Sequence, residues 1–522
     1  METKVKYHIP GWQWILATMV FFVAVLTCQQ YIFFDMEQAR VLVYEWERIA
    51  EQMMRAGGIA DFIALFLQQF FLFKVAAAAI MALLLTSVSL CLHKVYIYAA
   101  GRSTSLAEKI LCCLPAALLF VYTEGKIFFI TGHVAILLSS IGLLLATLLI
   151  KGNNTSPIQR ILKYIGIPLL IIFVGFAAQT AVWPMIAGIF LYSLLYKKDY
   201  ISAGITVISA VFMVGLGRYT CLAITKDELF SPDIFSYRTQ TPTTMVWVWT
   251  TFVTLMVVPF LFNKFFSEKV TKHISTACIA TIIVVGVTCS TYKAHHDEET
   301  DQRLALLHWI YAKDYEPASE FCMEYLTNTY TANIYFKILS ETNELENEVG
   351  GILKTGDQLI MAPSKIRLVR RHLMSLYYYL GYVSGAQREA FEYNEPSEGM
   401  MVPEAVKILA LTNIAQGNYA VAEKYINYLA HTLFYSDWAE QQRHFLYNDK
   451  AVENDPELGP RRKATVIESV PQIWTTLPYI INQIAYAAPE LPATNYKNAF
   501  LRLGEYNKDT NYESQQQSYI QY

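Results

Sequence analysis

Apolar positions run almost unbroken through the first part of the chain and then give way to helical stripes between charges. The uninterrupted runs cover residues 11–34, 75–92, 110–122, 127–150, 165–182, 185–196, 201–220, 245–263 and 274–290. A helix needs roughly 17 to 25 apolar residues to cross a bilayer, so about nine spans are predicted, with 110–122 and 185–196 short for the task. The first run follows Lys4 and Lys6 as a signal peptide would, but it is long and lacks a small-residue cleavage site, so it reads as a retained span. Thr27 ahead of Cys28 likewise argues against a lipoprotein cleavage box. The expected fold class is all-α: a polytopic transmembrane helical bundle over residues 1–292, a soluble α-helical domain over 293–505 and a polar tail over 506–522.

The external loop 35–74 carries a pattern of its own. Leu42, Trp46, Ile49 and Met53 fall at i, i+4, i+7 and i+11, with Glu45, Glu47, Arg48, Glu51 and Arg55 between them, which predicts an amphipathic helix. Gly57 and Gly58 end it, and Asp61 is placed to cap a second helix with an aromatic face of Phe62, Phe66, Phe70 and Phe73. Such a pair lies in the interfacial layer or packs on the spans as a hairpin; periodicity alone does not choose.

Composition narrows the function classes. The chain is 54% hydrophobic and 16% charged, with a net charge of −3 and a mean hydropathy of +0.28. It therefore has no basic field for nucleic acid. Of the eight cysteines, Cys28, Cys91, Cys112, Cys113, Cys278 and Cys289 sit in or beside apolar runs, where a thiol packs as a small hydrophobe, and no disulfide or zinc spacing is visible. With the N-terminus in the cytoplasm, the inner connections collect Lys94, Arg102, Lys109, Lys151, Arg160, Lys163, Lys197, Lys198, Lys264, Lys269 and Lys272. The outer ones hold Asp35, Glu37, Glu45, Glu47, Glu51, Glu124, Asp227, Glu228 and Asp233. An odd span count then puts the C-terminal domain outside, the periplasm of an inner-membrane protein.

The run from Phe34 through Asp35, Met36, Glu37, Gln38, Ala39 and Arg40, followed by Arg48 to Arg55, resembles the first external loop of C-type glycosyltransferases that use lipid-phosphate sugar donors. The stretch from Gly57 to Phe71 also resembles a motif of multi-span proteins from Bacteroidota, which brings no activity with it. The first resemblance implies transfer of a sugar from a polyprenyl-phosphate donor to a periplasmic acceptor. Such transfer needs a carboxylate to activate the acceptor hydroxyl or to hold a divalent metal ion, with cations to neutralise the departing phosphate. Asp35 and Glu37 are the catalytic candidates, and Arg40, Arg218, Lys126 and Arg238 the substrate-binding ones. Against this stands the plainer reading that these carboxylates face water or cap a helix, and that Arg218 snorkels.

Other polar groups read more simply. Glu124, Gly125 and Lys126 suggest a tight turn with a local ion pair, and His133 a buried histidine satisfied by a neighbouring backbone. His295, His296, Asp297, Glu298 and Glu299 offer metal-ligand types, but at a spacing that reads as a solvated junction. In the soluble domain, Asp314–Phe321 parallels Asn418–Tyr425, and Gly381, Tyr382 and Ala386 hint at another copy. This resembles the tetratricopeptide helix-turn-helix, which implies a peptide or protein partner or an assembly platform. Tyr377, Tyr378, Tyr379 and Tyr382 then line a groove or fill the core.

Overall fold

The computed structural model describes residues 12–29, 31–124, 130–151, 157–220, 230, 243–265, 274–352, 359–361, 363–394, 401–465 and 477–509. Every regular element among them is a helix. They divide into two units, Met1–Glu37 with Glu45–Gln302, and Gln38–Tyr44 with Arg303–Tyr522.

The first unit begins with α1 (Trp12–Cys28), α2 (Ile32–Ala39), α3 (Trp46–Met54) and α4 (Gly58–Gln68). It continues with α5 (Lys74–Ala100), α6 (Leu106–Leu111), α7 (Leu114–Tyr122), α8 (Thr131–Lys151), α9 (Pro157–Ala178) and α10 (Val182–Leu191). The last long helices are α11 (Tyr200–Thr220), α12 (Thr243–Phe265) and α13 (Ile274–His295). Five helical stretches are long and apolar enough to cross a membrane: Lys74–Ala100, Thr131–Lys151, Pro157–Lys197, Tyr200–Gly217 and Ser275–His295. The third is not straight. An unbroken helix would hold Lys163 and Asp199 about 54 Å apart, yet the Lys163 ammonium pairs with the Asp199 carboxylate. The reversal falls after α9, where Gln179 adopts φ 45°.

Contacts of this kind sort the helix ends into two groups. At one end Lys109 donates to Gln13 (2.7 Å), Lys151 lies over the Tyr98 ring (4.1 Å), and the Tyr196 hydroxyl accepts from the Phe260 amide (3.0 Å). Arg102 pairs with the buried Glu108 there (2.7 Å), whose carboxylate closes a capping box with Ser105. At the other end Gln29 meets Glu124 (2.8 Å), Thr131 donates to Asp61 (2.9 Å), the Gly57 amide donates to the Phe176 carbonyl (2.7 Å), and Lys74 lies over Tyr31 (4.9 Å). Small residues let the helices close up between the two ends. Ala77, Ala78 and Ala82 of α5 are sealed in the core, and a side chain on Gly142 of α8 would collide with Met185 of α10.

The loop after α1 departs from expectation in two places. The amphipathic helix starts at Trp46, not Leu42, because Arg40 to Glu45 are extended. Asp61 is not a cap; Gly57 holds that position at φ 78°, and Asp61 accepts instead from Gln52 (3.0 Å) and Thr131. The small face of α4, Ala60 and Ala64, turns inward, while Phe66 (42% exposed) and Phe73 (53%) point out.

Residues Gln38–Tyr44 belong to the second unit. Val41 and Val43 are buried in a core with Val406, Ile414, Ile426 and Leu429, and the Tyr44 amide donates to the His431 carbonyl (2.7 Å). Two β-branched residues in alternation suit an extended segment better than a helical turn.

The helices that follow, as far as Ala430, pair as hairpins, and further helices continue to Asp509. Helix α14 (Glu298–Ala312) crosses the boundary and turns into α15 (Tyr315–Glu324); α16 (Thr329–Glu341) turns into α17 (Leu345–Ile352). In the same way α18 (Arg367–Leu380) leads to α19 (Val383–Asn394), and α20 (Pro403–Ala415) to α21 (Tyr419–Ala430). All four turns share one geometry: Lys313, Asn343, Gly381 and Gly417 have φ between 56° and 91°. The next amide donates five residues back, from Asp314 to Trp309, Glu344 to Leu339, Tyr382 to Tyr377 and Asn418 to Asn413. This is the Schellman closure, which satisfies the last carbonyls of the first helix and aims the second back along it. The tyrosines fill the core instead of lining a groove: Tyr377, Tyr378 and Tyr382 are buried, with the Tyr378 hydroxyl donating to Glu457 (2.7 Å) and Tyr379 to Ser340 (3.1 Å).

Two measurements test this unit. Residues 303–505 joined by a flexible linker to 38–44 should melt higher than 303–505 alone, since each buried valine contributes about 1.5 to 3 kcal/mol. Val41→Asp with Val43→Asp should abolish the gain, and equal midpoints for both proteins would remove the segment from this core. The second concerns His372, which bonds Asn333 Oδ1 (2.8 Å) and which burial, helped by Lys337, holds down to about 3 from 6.5. It is neutral in the folded unit while the unfolded chain takes up a proton below 6.5, so stability is lost as pH falls through that window, by up to about 1.4 kcal/mol per pH unit. In the linked protein, His372→Gln should flatten the fall in melting temperature between pH 6.5 and 4.5. An unchanged slope would assign the acid sensitivity to another group.

Candidate functional site

The catalytic candidates of the sequence lie on α2, the short helix set at 82° to α1. Asp35 is half-buried in its first turn and Glu37 is buried at 2% exposure. Two residues apart on a helix they project to different sides, so they do not form a facing pair. The Met36 carbonyl between them accepts from the buried Gln68 amide, which ties α2 to the end of α4. Arg40 belongs to the second unit. Arg218 lies in α11, and its side chain, like Lys126 and Arg238, falls outside the described residues.

A second group assembles where the first resemblance did not point. Glu124 follows the last turn of α7, and its carboxylate is almost sealed, at 1% exposure. Gln29, one residue past α1, donates to Glu124 Oε1 (2.8 Å) and to the Phe120 carbonyl (2.8 Å), and also to Thr123. His296, just past α13, meets Glu124 Oε2 through Nδ1 at 3.0 Å, and the same nitrogen stands 3.7 Å from Asp301 Oδ2 in the first turn of α14. The Tyr292 ring stacks on the imidazole (4.9 Å, 17°), and the His296 amide bonds the Tyr292 carbonyl (2.7 Å), so the ring plane is set by the last turn of α13.

The electrostatics follow from burial. Desolvation pushes the Glu124 carboxyl up, against the hydrogen bonds from His296 and Gln29 that favour its charge. Its hydrogen bond to Glu124 raises His296, and burial raises Asp301. Imidazole and carboxylates in contact can share a proton or hold a cation, and their ligand atoms lie within 4.8 Å of one another. Glu124 thus makes a contact 172 residues long with His296, and the local pair expected with Lys126 lies outside the described residues. His133 fits its expectation, with Nε2 at 3.0 Å from the Leu119 carbonyl.

A family model described as a family of unknown function (DUF6057) matches residues 6–489, which spans both units. The chain belongs to the DUF6057 family. No curated protein and no solved structure matches it. The DUF6057 match takes in α2, with Asp35 and Glu37, and the group of Gln29, Glu124, His296 and Asp301.

Proposed function

We propose that this protein is a nine-span membrane glycosyltransferase of the lipid-phosphate-sugar type, acting on a periplasmic acceptor. The observation that carries this reading is the segment between the first two long apolar helices. A carboxylate-bearing helix leaves the first span sharply, and an amphipathic helix follows with Trp46 (78% exposed) and Met54 (79%) outward. Exposed apolar residues beside charges seat such a helix in the headgroup layer, the depth at which a lipid-linked donor offers its phosphate. Asp35 acts as the general base or holds a divalent ion, and the buried Glu37 positions α2.

The sorting of helix ends supports nine crossings, α1, α5, α6 with α7, α8, α9, α10, α11, α12 and α13. Each adjoining pair runs in opposite directions, and Arg102, Lys109, Lys151 and Lys163 gather at one end. The positive-inside tendency makes that end cytoplasmic and the α2–α4 end periplasmic. The C-terminal unit follows α13 on the periplasmic side, and its shared hairpin turns support a tetratricopeptide-like array. That array favours a second reading, a non-catalytic scaffold for envelope proteins.

Asp35→Asn keeps side-chain size and removes the charge. It should slow formation of envelope glycan products by about 10²- to 10⁴-fold at matched protein abundance, a loss of roughly 3 to 5 kcal/mol of transition-state stabilisation. Glu37→Gln should also reduce the amount of folded protein, because it replaces a buried group. Normal products from Asp35→Asn would end the catalytic assignment and leave the scaffold.

A further inference from the structure

We infer that Glu124, His296, Asp301 and Gln29 form a binding site for one zinc-class divalent metal ion at the end of the bundle. Ligand atoms about 2.0–2.2 Å from a tetrahedral zinc stand roughly 3.3 Å from one another. The His296 Nδ1 to Glu124 Oε2 and His296 Nδ1 to Asp301 Oδ2 separations, 3.0 and 3.7 Å, bracket that value. All three ligand atoms fall within 4.8 Å of each other, so closing on an ion needs only side-chain adjustment.

A separate observation points to the same ligand. The Gln29 side chain is 1% exposed, and its amide nitrogen is taken up by Phe120, Thr123 and Glu124. Its carbonyl oxygen, on the same amide that touches Glu124, is buried with no hydrogen-bond partner. A sealed acceptor of this kind calls for a water or an ion. A cation held by Glu124 supplies it, either directly or through a metal-bound water.

The donor set selects the class of ion. One imidazole nitrogen with two carboxylates suits zinc and its first-row neighbours, whereas calcium and magnesium favour sites made wholly of oxygen. Charge agrees: both carboxylates are partly buried and meet the one imidazole of His296, and a divalent ion neutralises them. Zinc takes the lone pair at Nδ1 with the ring proton on Nε2, and any proton shared between Nδ1 and Glu124 is displaced to solvent. The Tyr292 stack fixes the imidazole in the orientation that this requires. Glu124, His296 and Asp301 supply three ligands, and the fourth position goes to the Gln29 carbonyl or to the water it holds.

The full chain, purified in detergent and stripped with a chelator, should bind one Zn²⁺ per chain in equilibrium dialysis, and Zn²⁺ should raise its melting temperature. His296→Gln changes a half-buried residue past the end of a helix, keeps an amide donor within reach of Glu124 and so should leave the metal-free melting temperature near wild type. It should weaken zinc binding at least tenfold and abolish the thermal shift; Glu124→Gln should do the same at a lower metal-free melting temperature. Millimolar Ca²⁺ or Mg²⁺ should not displace the ion. Failure of the wild-type chain to bind zinc, or equal affinity in wild type and His296→Gln, overturns the site. Binding is read directly, so either result is independent of the transferase reading.

Discussion

A carboxylate at the end of an apolar bundle has to be answered by partners, and Glu124, at the end of α7, draws them from the ends of two other helices. Removing an ionised group from water costs several kcal/mol unless hydrogen bonds and opposite charge offset it. Gln29 comes from the end of α1, His296 from the end of α13, and the backbone around Glu124 from α7. The helices that open and close the apolar part of the chain are therefore tied to one atom group. Lipid-facing packing offers no comparable constraint, since hydrocarbon contacts between helices are nearly interchangeable with hydrocarbon contacts to lipid. The polar cluster gives this end of the bundle a specific arrangement that apolar matching alone would leave loose.

The same rule explains the opposite end. Arg102 with Glu108, and Lys163 with Asp199, are pairs in which one side chain is 1% exposed. Each pins a connection where the chain reverses, and the second determines that α9 and α10 fold back on each other. Basic residues in these connections thus lock adjoining helix ends together.

Much of this architecture was legible in the residues because lipid imposes a single demand, a helix with apolar side chains all round. The apolar runs correspond to helices from α1 to α13, and the turns expected near Asp314, Gly381 and Asn418 fall between paired helices. Local patterns misled where burial came from a distant part of the chain. Leu42 satisfies a helical spacing with Trp46, yet residues 41–43 are extended because a core of the second unit receives Val41 and Val43. Tyr377 and Tyr382 carried no sign of which surface they serve, and packing made them core. The meeting of Glu124 with His296 could not be read from spacing, since spacing rules describe ligands on one element, and these lie at the ends of different helices. The short run His295 to Glu299 held the only hint.

Synthesis proceeds from the N-terminus, and that gives the extended segment Gln38–Tyr44 an unusual schedule. It is made early, between α1 and α3, while the core that encloses Val41 and Val43 is completed only by Val452 and Leu458. At translation rates of about 5 to 20 residues per second, the interval is on the order of tens of seconds. Throughout that time an apolar strand waits without its cover. When the last helices emerge, the strand is already tethered to the same chain, so closure is intramolecular and needs no encounter from solution. The late-made unit is thus completed by a piece of a loop made hundreds of residues earlier.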